Sequence, residues 1–179
     1  MARQKNGTWE WVKALIIALL LAGVIRYFFF APIVVDGESM MPTLHNKDRL
    51  IVNKIATPKR GDIIVFKATP TKDYIKRVIG LPGDEIMYKD DVLYVNGKQV
   101  KEPYLEPNKK ITKDGNLTYD FTLEEITGKK RVPKGQLFVL GDNRRHSTDS
   151  RNIGTVPIDR VIGKASVRIW PISDIGVMK

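Results

Sequence analysis

No cysteine occurs in the 179 residues, which excludes disulfides, thiolate zinc sites and a cysteine nucleophile together. Histidine is nearly as scarce. His45 and His146 are too few for a histidine-rich metal site, and no metal or cofactor is expected. Serine occurs five times, at Ser39, Ser147, Ser150, Ser166 and Ser173. There is no internal repeat and no low-complexity tract. The hydrophobic content of 42% excludes wholesale disorder, and the length suits one domain with a core.

Acidic residues are also in short supply: 20 Asp+Glu face 30 Lys+Arg, a net charge of +10. Such a balance fits nucleic acid, an anionic membrane surface or an acidic envelope polymer. The N-terminal forty residues choose the membrane. Arg3, Lys5 and Lys13 precede or open an apolar run from Ala14 to Ile25, which resumes after Arg26 as Tyr27-Phe28-Phe29-Phe30 and on to Val35. This predicts a membrane-spanning helix, with Arg26 snorkelling and Trp9 and Trp11 at the interface. The basic start predicts a cytoplasmic N-terminus. A cleaved signal peptide is the rival, but no small-residue cleavage site follows. Residues 1–31 are thus expected to be a cytoplasmic tip and anchor, and 32–179 an extracytoplasmic domain.

Beyond the anchor the pattern becomes short β-type runs, at 49–53, 62–66, 74–79, 84–88, 136–140 and 161–168, rich in β-branched residues and bounded by Gly, Pro, Asp or Asn. Residues 92–100 predict a hairpin, because Asn96-Gly97 accepts two positive φ angles. Thr122 and Glu125 have the spacing of a capping box. Residues 101–134 are polar and lysine-rich, and an exposed excursion is expected there. The fold class expected is mostly β: the anchor, then an antiparallel β-sandwich or partly closed barrel.

Three stretches carry chemistry. In Gly37-Glu38-Ser39-Met40-Met41-Pro42-Thr43-Leu44, a permissive glycine and a stiff proline flank a serine, holding its hydroxyl and N–H available. A nucleophilic serine needs a base. His146 with Asp149 is one option; a desolvated lysine is the other, since burial lowers its pKa into a working range. Lys76 lies in an apolar strand with Tyr74 and Val78 on its face, and Lys54 has a similar context. Arg77 cannot serve, because a guanidinium keeps its proton. The third stretch, Gly141 to Arg151, is a dense polar loop after a core strand.

These stretches, with Arg60 to Phe66 and Tyr74 to Asp84, resemble the bacterial type I signal peptidases, most nearly the short, single-anchor form of Gram-positive bacteria. The resemblance implies a membrane-bound serine endopeptidase that removes signal peptides from exported preproteins. Ser39 is then the nucleophile and Lys76 the general base, with Ser147 hydrogen-bonding Lys76, and Asp149, Arg151 and Arg77 in support. Val35, Leu44, Tyr74 and Ile75 become the substrate-binding slots for small side chains. Gly37 stands where some members carry a serine that helps the oxyanion, so backbone N–H groups or water must replace that donor. Expected partners are preproteins and anionic lipid, not nucleic acid, and a monomer is expected. The alternative is a catalytically inactive anchored β-domain that binds preproteins or envelope polymers.

Overall fold

A computed structural model describes residues 7–178; Arg3 and Lys5 of the expected cytoplasmic tip lie outside the described residues. Helix α1 (Gly7–Phe29) comes first. It is apolar on every side, and Leu15, Ile16, Ile17, Leu19, Leu20, Leu21 and Val24 are all exposed. Arg26 breaks the apolar run, and the side chains of Ile25 and Tyr27 lie outside those described. Among the described residues no helix is long and apolar enough to cross a membrane. The expected spanning helix therefore stands corrected to an exposed apolar helix.

The helix runs directly into β1 (Phe30–Val34), a strand that the continuous apolar run Phe28 to Val35 conceals in the sequence. Strands β2 (Arg49–Asn53), β3 (Ile63–Lys67) and β4 (Asp73–Gly80) follow near their expected places. After them come β5 (Ile86–Lys89), β6 (Val92–Val95) and β7 (Lys98–Val100). A 3-10 turn (Pro103–Leu105), α2 (Glu106–Ile111), β8 (Phe121–Thr122) and α3 (Leu123–Thr127) occupy the next stretch. The chain closes with β9 (Gln136–Leu140), α4 (Ser150–Ile153), β10 (Val156–Pro157), β11 (Val161–Trp170) and β12 (Gly176–Val177).

Two antiparallel sheets form. The larger runs β1-β2-β11-β3-β4-β9-β10, with β12 on β11, and the smaller runs β7-β6-β5-β8. The larger sheet ends in β1 and β10 and does not close, which corrects the partly closed barrel to two open sheets. Strand alternation explains the packing. Ile64, Phe66 and Val78 bury one face with Leu137, Val139 and Val156, while Ile63 and Ile75 turn to the other with Val35, Met40, Leu44 and Leu50. A third cluster joins the sheets: Ile79, Phe138 and Leu140 meet Ile86, Tyr88, Leu93, Val95 and Phe121.

The Asn96-Gly97 hairpin forms with positive φ at both residues (52° and 75°). The capping box of Thr122 and Glu125 forms too. Residues 101–134 are only partly the exposed excursion expected. Leu105, Leu117, Leu123 and Val132 are buried, because this segment roofs the smaller sheet.

Candidate active site

Ser39 sits in the turn that leaves β1. Val35, Met40 and Leu44 are buried and pin this turn into the sheet's core, so the residues between them are held. Met41 N–H donates to Glu38 O at 3.1 Å, and Leu44 N–H to Met40 O at 2.9 Å. Gly37 takes φ 95°, which only glycine adopts freely, and its N–H donates to Asn46 Oδ1. Ser39 O accepts from Asn143 N–H at 3.0 Å. Among the described residues no hydrogen bond takes up the Ser39 N–H.

Lys76 comes from β4, where it pairs with Ile64 of β3. It is only 4% exposed, and its Nζ donates to Ser39 Oγ at 2.7 Å and to Ile75 O at 3.0 Å. The Tyr74 ring lies 5.1 Å from Nζ, on the face that strand alternation assigned. Burial lowers the lysine from 10.5 to about 8, against the upward pull of Asp149 and Asp142. Lys54, its equal in sequence context, is exposed. His146 is exposed as well, Asp149 accepts from Gly141 and Arg151, and among the described residues no hydrogen bond joins His146 to Ser39 or to Asp149.

The loop after β9 braces both groups. Asp142 receives Arg77 Nε at 2.8 Å and Nη2 at 2.6 Å, a bidentate pair with both side chains buried, and the Thr43 hydroxyl also donates to it. Asp149 caps α4 and accepts from Gly141 N–H (3.0 Å), Arg151 Nε (2.9 Å) and Arg151 Nη2 (2.8 Å). The hydrogen bond from Ser147 to Lys76 is not formed. Ser147 Oγ is buried with no hydrogen-bond partner among the described residues, packed where a Cβ on Gly141 would come within 2.2 Å of it. Among the described residues no cluster of His, Asp and Glu is arranged to hold a metal ion.

A cleft of about 490 Å³ opens over the pair. Val35, Tyr74 and Ile75 line it, as do Pro32 to Val34 of β1. Leu44 does not: it is fully buried in the cluster beneath, supporting the turn rather than facing a substrate. β1 is the end strand of its sheet, and β9 pairs with β4 only from Arg77 onward. The outer edge of β1 and the 73–76 edge of β4 therefore both border the cleft without a partner strand among the described residues.

Comparison with known proteins gives the family. A family model described as "Signal peptidase, peptidase S26" matches residues 8–170. The chain belongs to the signal peptidase family, peptidase S26. Signal peptidase I of Bacillus caldolyticus is 53% identical over 174 residues, covering 94% of this chain and 93% of that one. Signal peptidase I T of Bacillus subtilis (strain 168) is 48% identical over 182 residues, with 97% and 91% covered. The crystal structure of a signal peptidase I from Enterococcus faecalis V583 superimposes with a TM-score of 0.60 at 46% identity, covering 63% of this chain and 99% of that chain. The enzyme class of the chain is thus signal peptidase I, a serine peptidase.

Several residues around Ser39 and Lys76 were not singled out in the sequence. Arg144 is buried and donates to Glu102 (2.6 Å), Tyr88 OH (2.6 Å) and Gly141 O (3.0 Å). The Tyr104 ring lies 3.8 Å from the Arg77 guanidinium, and burial beside Glu102 pushes its hydroxyl well above the usual range. Asn108 reaches Met41 O and Asp142 O. Apart from Arg144 with Gly141 and Tyr104 with Glu102, these partners lie tens of residues apart in the chain. No sequence signal marked them, since the same stretch holds five acidic residues besides Glu102 and two aromatics besides Tyr104.

Proposed function

We propose that the chain is a membrane-seated endopeptidase that removes signal peptides from exported preproteins, with Ser39 as nucleophile and Lys76 as general base. One observation carries this reading: a buried lysine amine lies 2.7 Å from the hydroxyl of a serine at the floor of a cleft. With its pKa at about 8, roughly half of Lys76 is neutral at pH 8, against well under 1% for an ordinary lysine. Neutral Lys76 accepts the Ser39 proton as Oγ bonds to the scissile carbonyl carbon. The carbonyl oxygen takes negative charge and accepts from the Ser39 N–H. Lys76 then gives its proton to the leaving amine as the C–N bond breaks, leaving an ester on Ser39. Water, deprotonated by the same amine, hydrolyses that ester and returns the proton to Oγ.

The two unpaired strand edges support an extended substrate, held by main-chain hydrogen bonds with alternate side chains directed at Val35, Tyr74 and Ile75. Helix α1 supports the location. A helix apolar all round is buried in protein or in lipid, and here the described apolar side chains of α1 are exposed. Lipid burial of α1 sets the cleft close to the membrane surface, where a signal peptide leaves the bilayer. The basic net charge favours anionic lipid.

The test is cleavage, in detergent, of a peptide with an Ala-x-Ala site. Ser39→Ala and Lys76→Ala are expected to lose activity by at least a thousandfold while remaining folded. Undiminished turnover by Lys76→Ala would remove the lysine from the mechanism.

A further inference from the structure

We infer that Asn108 is a positioning residue: its side-chain amide ties the nucleophile turn to the polar loop, and so sets Ser39 against Lys76. Asn108 lies on α2, outside both segments that it joins. Its Nδ2 donates to Met41 O at 3.1 Å and to Asp142 O at 3.0 Å. Met41 is two residues beyond Ser39. Asp142 precedes Asn143, whose N–H donates to Ser39 O and whose Nδ2 donates to Glu38 O. An amide NH₂ is suited to this task, because it directs two donors at two carbonyls from one planar group. A hydroxyl has one.

The clamp itself is anchored. Leu105, just before α2, is fully buried; Tyr104 stacks on Arg77, and Glu102 pairs with Arg144. Lys109 Nζ donates to Asp91 O at 3.1 Å, and Arg145 Nη2 to Asn116 O at 2.9 Å. The segment 101–116 thus grips both sides of the site, and small displacements of reacting groups are costly to rate. A loosened turn also admits water to Lys76.

The inference rests on the Ser39–Lys76 reading, and the experiment separates the two. The full chain in detergent is assayed on the Ala-x-Ala peptide across pH as Ser39→Ala, Asn108→Ala, Asn108→Asp and Thr112→Ala. Asn108→Ala is expected to lower kcat per folded molecule about tenfold, with KM within about twofold and the acidic limb moved to higher pH. Asn108→Asp should fall further, since it sets an acceptor against two carbonyls. Thr112→Ala removes a hydrogen bond to Asn108 O at the end of α2 but leaves the amide in place, and should keep wild-type kcat. If Asn108→Ala does not fold, Asn108→Ser, with one donor, should give an intermediate kcat. Wild-type kcat and an unmoved limb in the folded Asn108 variants overturn the inference, as does an equal loss in Thr112→Ala. Activity retained by Ser39→Ala sinks the dyad instead.

Discussion

A lysine becomes a base only where water is kept from it, and Lys76 is held in that condition by its neighbours rather than by its own chemistry. The rate should follow its titration: kcat/KM is expected to rise about tenfold per pH unit below about 8 and to level above it. A limb near 10, or none above 6.5, contradicts the mechanism. Stability carries the same titration with a definite sign. The lowered pKa means that the folded state binds fewer protons than the unfolded state between about 8 and 10.5, so stability rises with pH through that window. Below it the buried ammonium destabilises in full. Lys76→Met should therefore be inactive yet more stable at pH 7 by up to about 3 kcal/mol, the gain shrinking to nothing by pH 10.5 in thermal melts. Gly141 is as strict a residue as the lysine. A methyl group there would stand 2.5 Å from Ser39 O and 2.2 Å from Ser147 Oγ, so Gly141→Ala should push the nucleophile turn aside and reduce kcat on the order of a hundredfold.

At the scale of elements, β4 and the loop after β9 are one unit. β4 carries Lys76 and, next to it, Arg77, whose buried guanidinium pairs with Asp142 of the loop. Removing Arg77 leaves the Asp142 carboxylate buried without its ionic partner. Arg77→Met is expected to lower stability by about 3–5 kcal/mol in denaturant titrations, while exposed Arg131, paired with Glu85 at 3.6 Å, should be nearly silent when replaced by Met. The loop's other end is latched by α4: Asp149 caps it, and Ser150 Oγ accepts from Val139 N–H at 2.9 Å. The ten polar residues and one glycine of 141–151 are thus tied near one end to Arg77 of β4 and near the other to Val139 of β9.

For the whole molecule, the proposal sets a greasy helix beside a charged, folded domain. If α1 lies in lipid, the chain should float with vesicles even in 1 M salt, since apolar burial is not screened. Replacing Leu15, Leu19 and Ile16 together with Lys should release it without changing cleavage of a short soluble peptide. Retention of that variant on neutral vesicles would place the lipid contact elsewhere. The two sheets meet through the cluster around Phe138 and Tyr88, so the segment 101–134 and the larger sheet should unfold together.

Much of this was legible along the chain, where the physics is local. Alternating β-branched runs gave strands, Asn96-Gly97 gave a hairpin, Thr122 and Glu125 gave a helix start, and the spacing of Ser39, Lys76 and the 141–151 loop led to the family. Position in space was not legible. Lys76 and Lys54 look alike in sequence, and only pairing with Ile64 in mid-sheet buries one while the other is left in water. Ser147 was expected on the lysine and packs on Gly141; Leu44 was expected in the cleft and lies beneath it. β1 hid in a continuous apolar run because helix and edge strand share that composition, and Asn108 was invisible because its partners are backbone carbonyls, which have no letter. Local chemistry is written residue by residue. Burial and hydrogen-bond partnership are set by which distant segments arrive together, and that is where the acidity of one amine was decided.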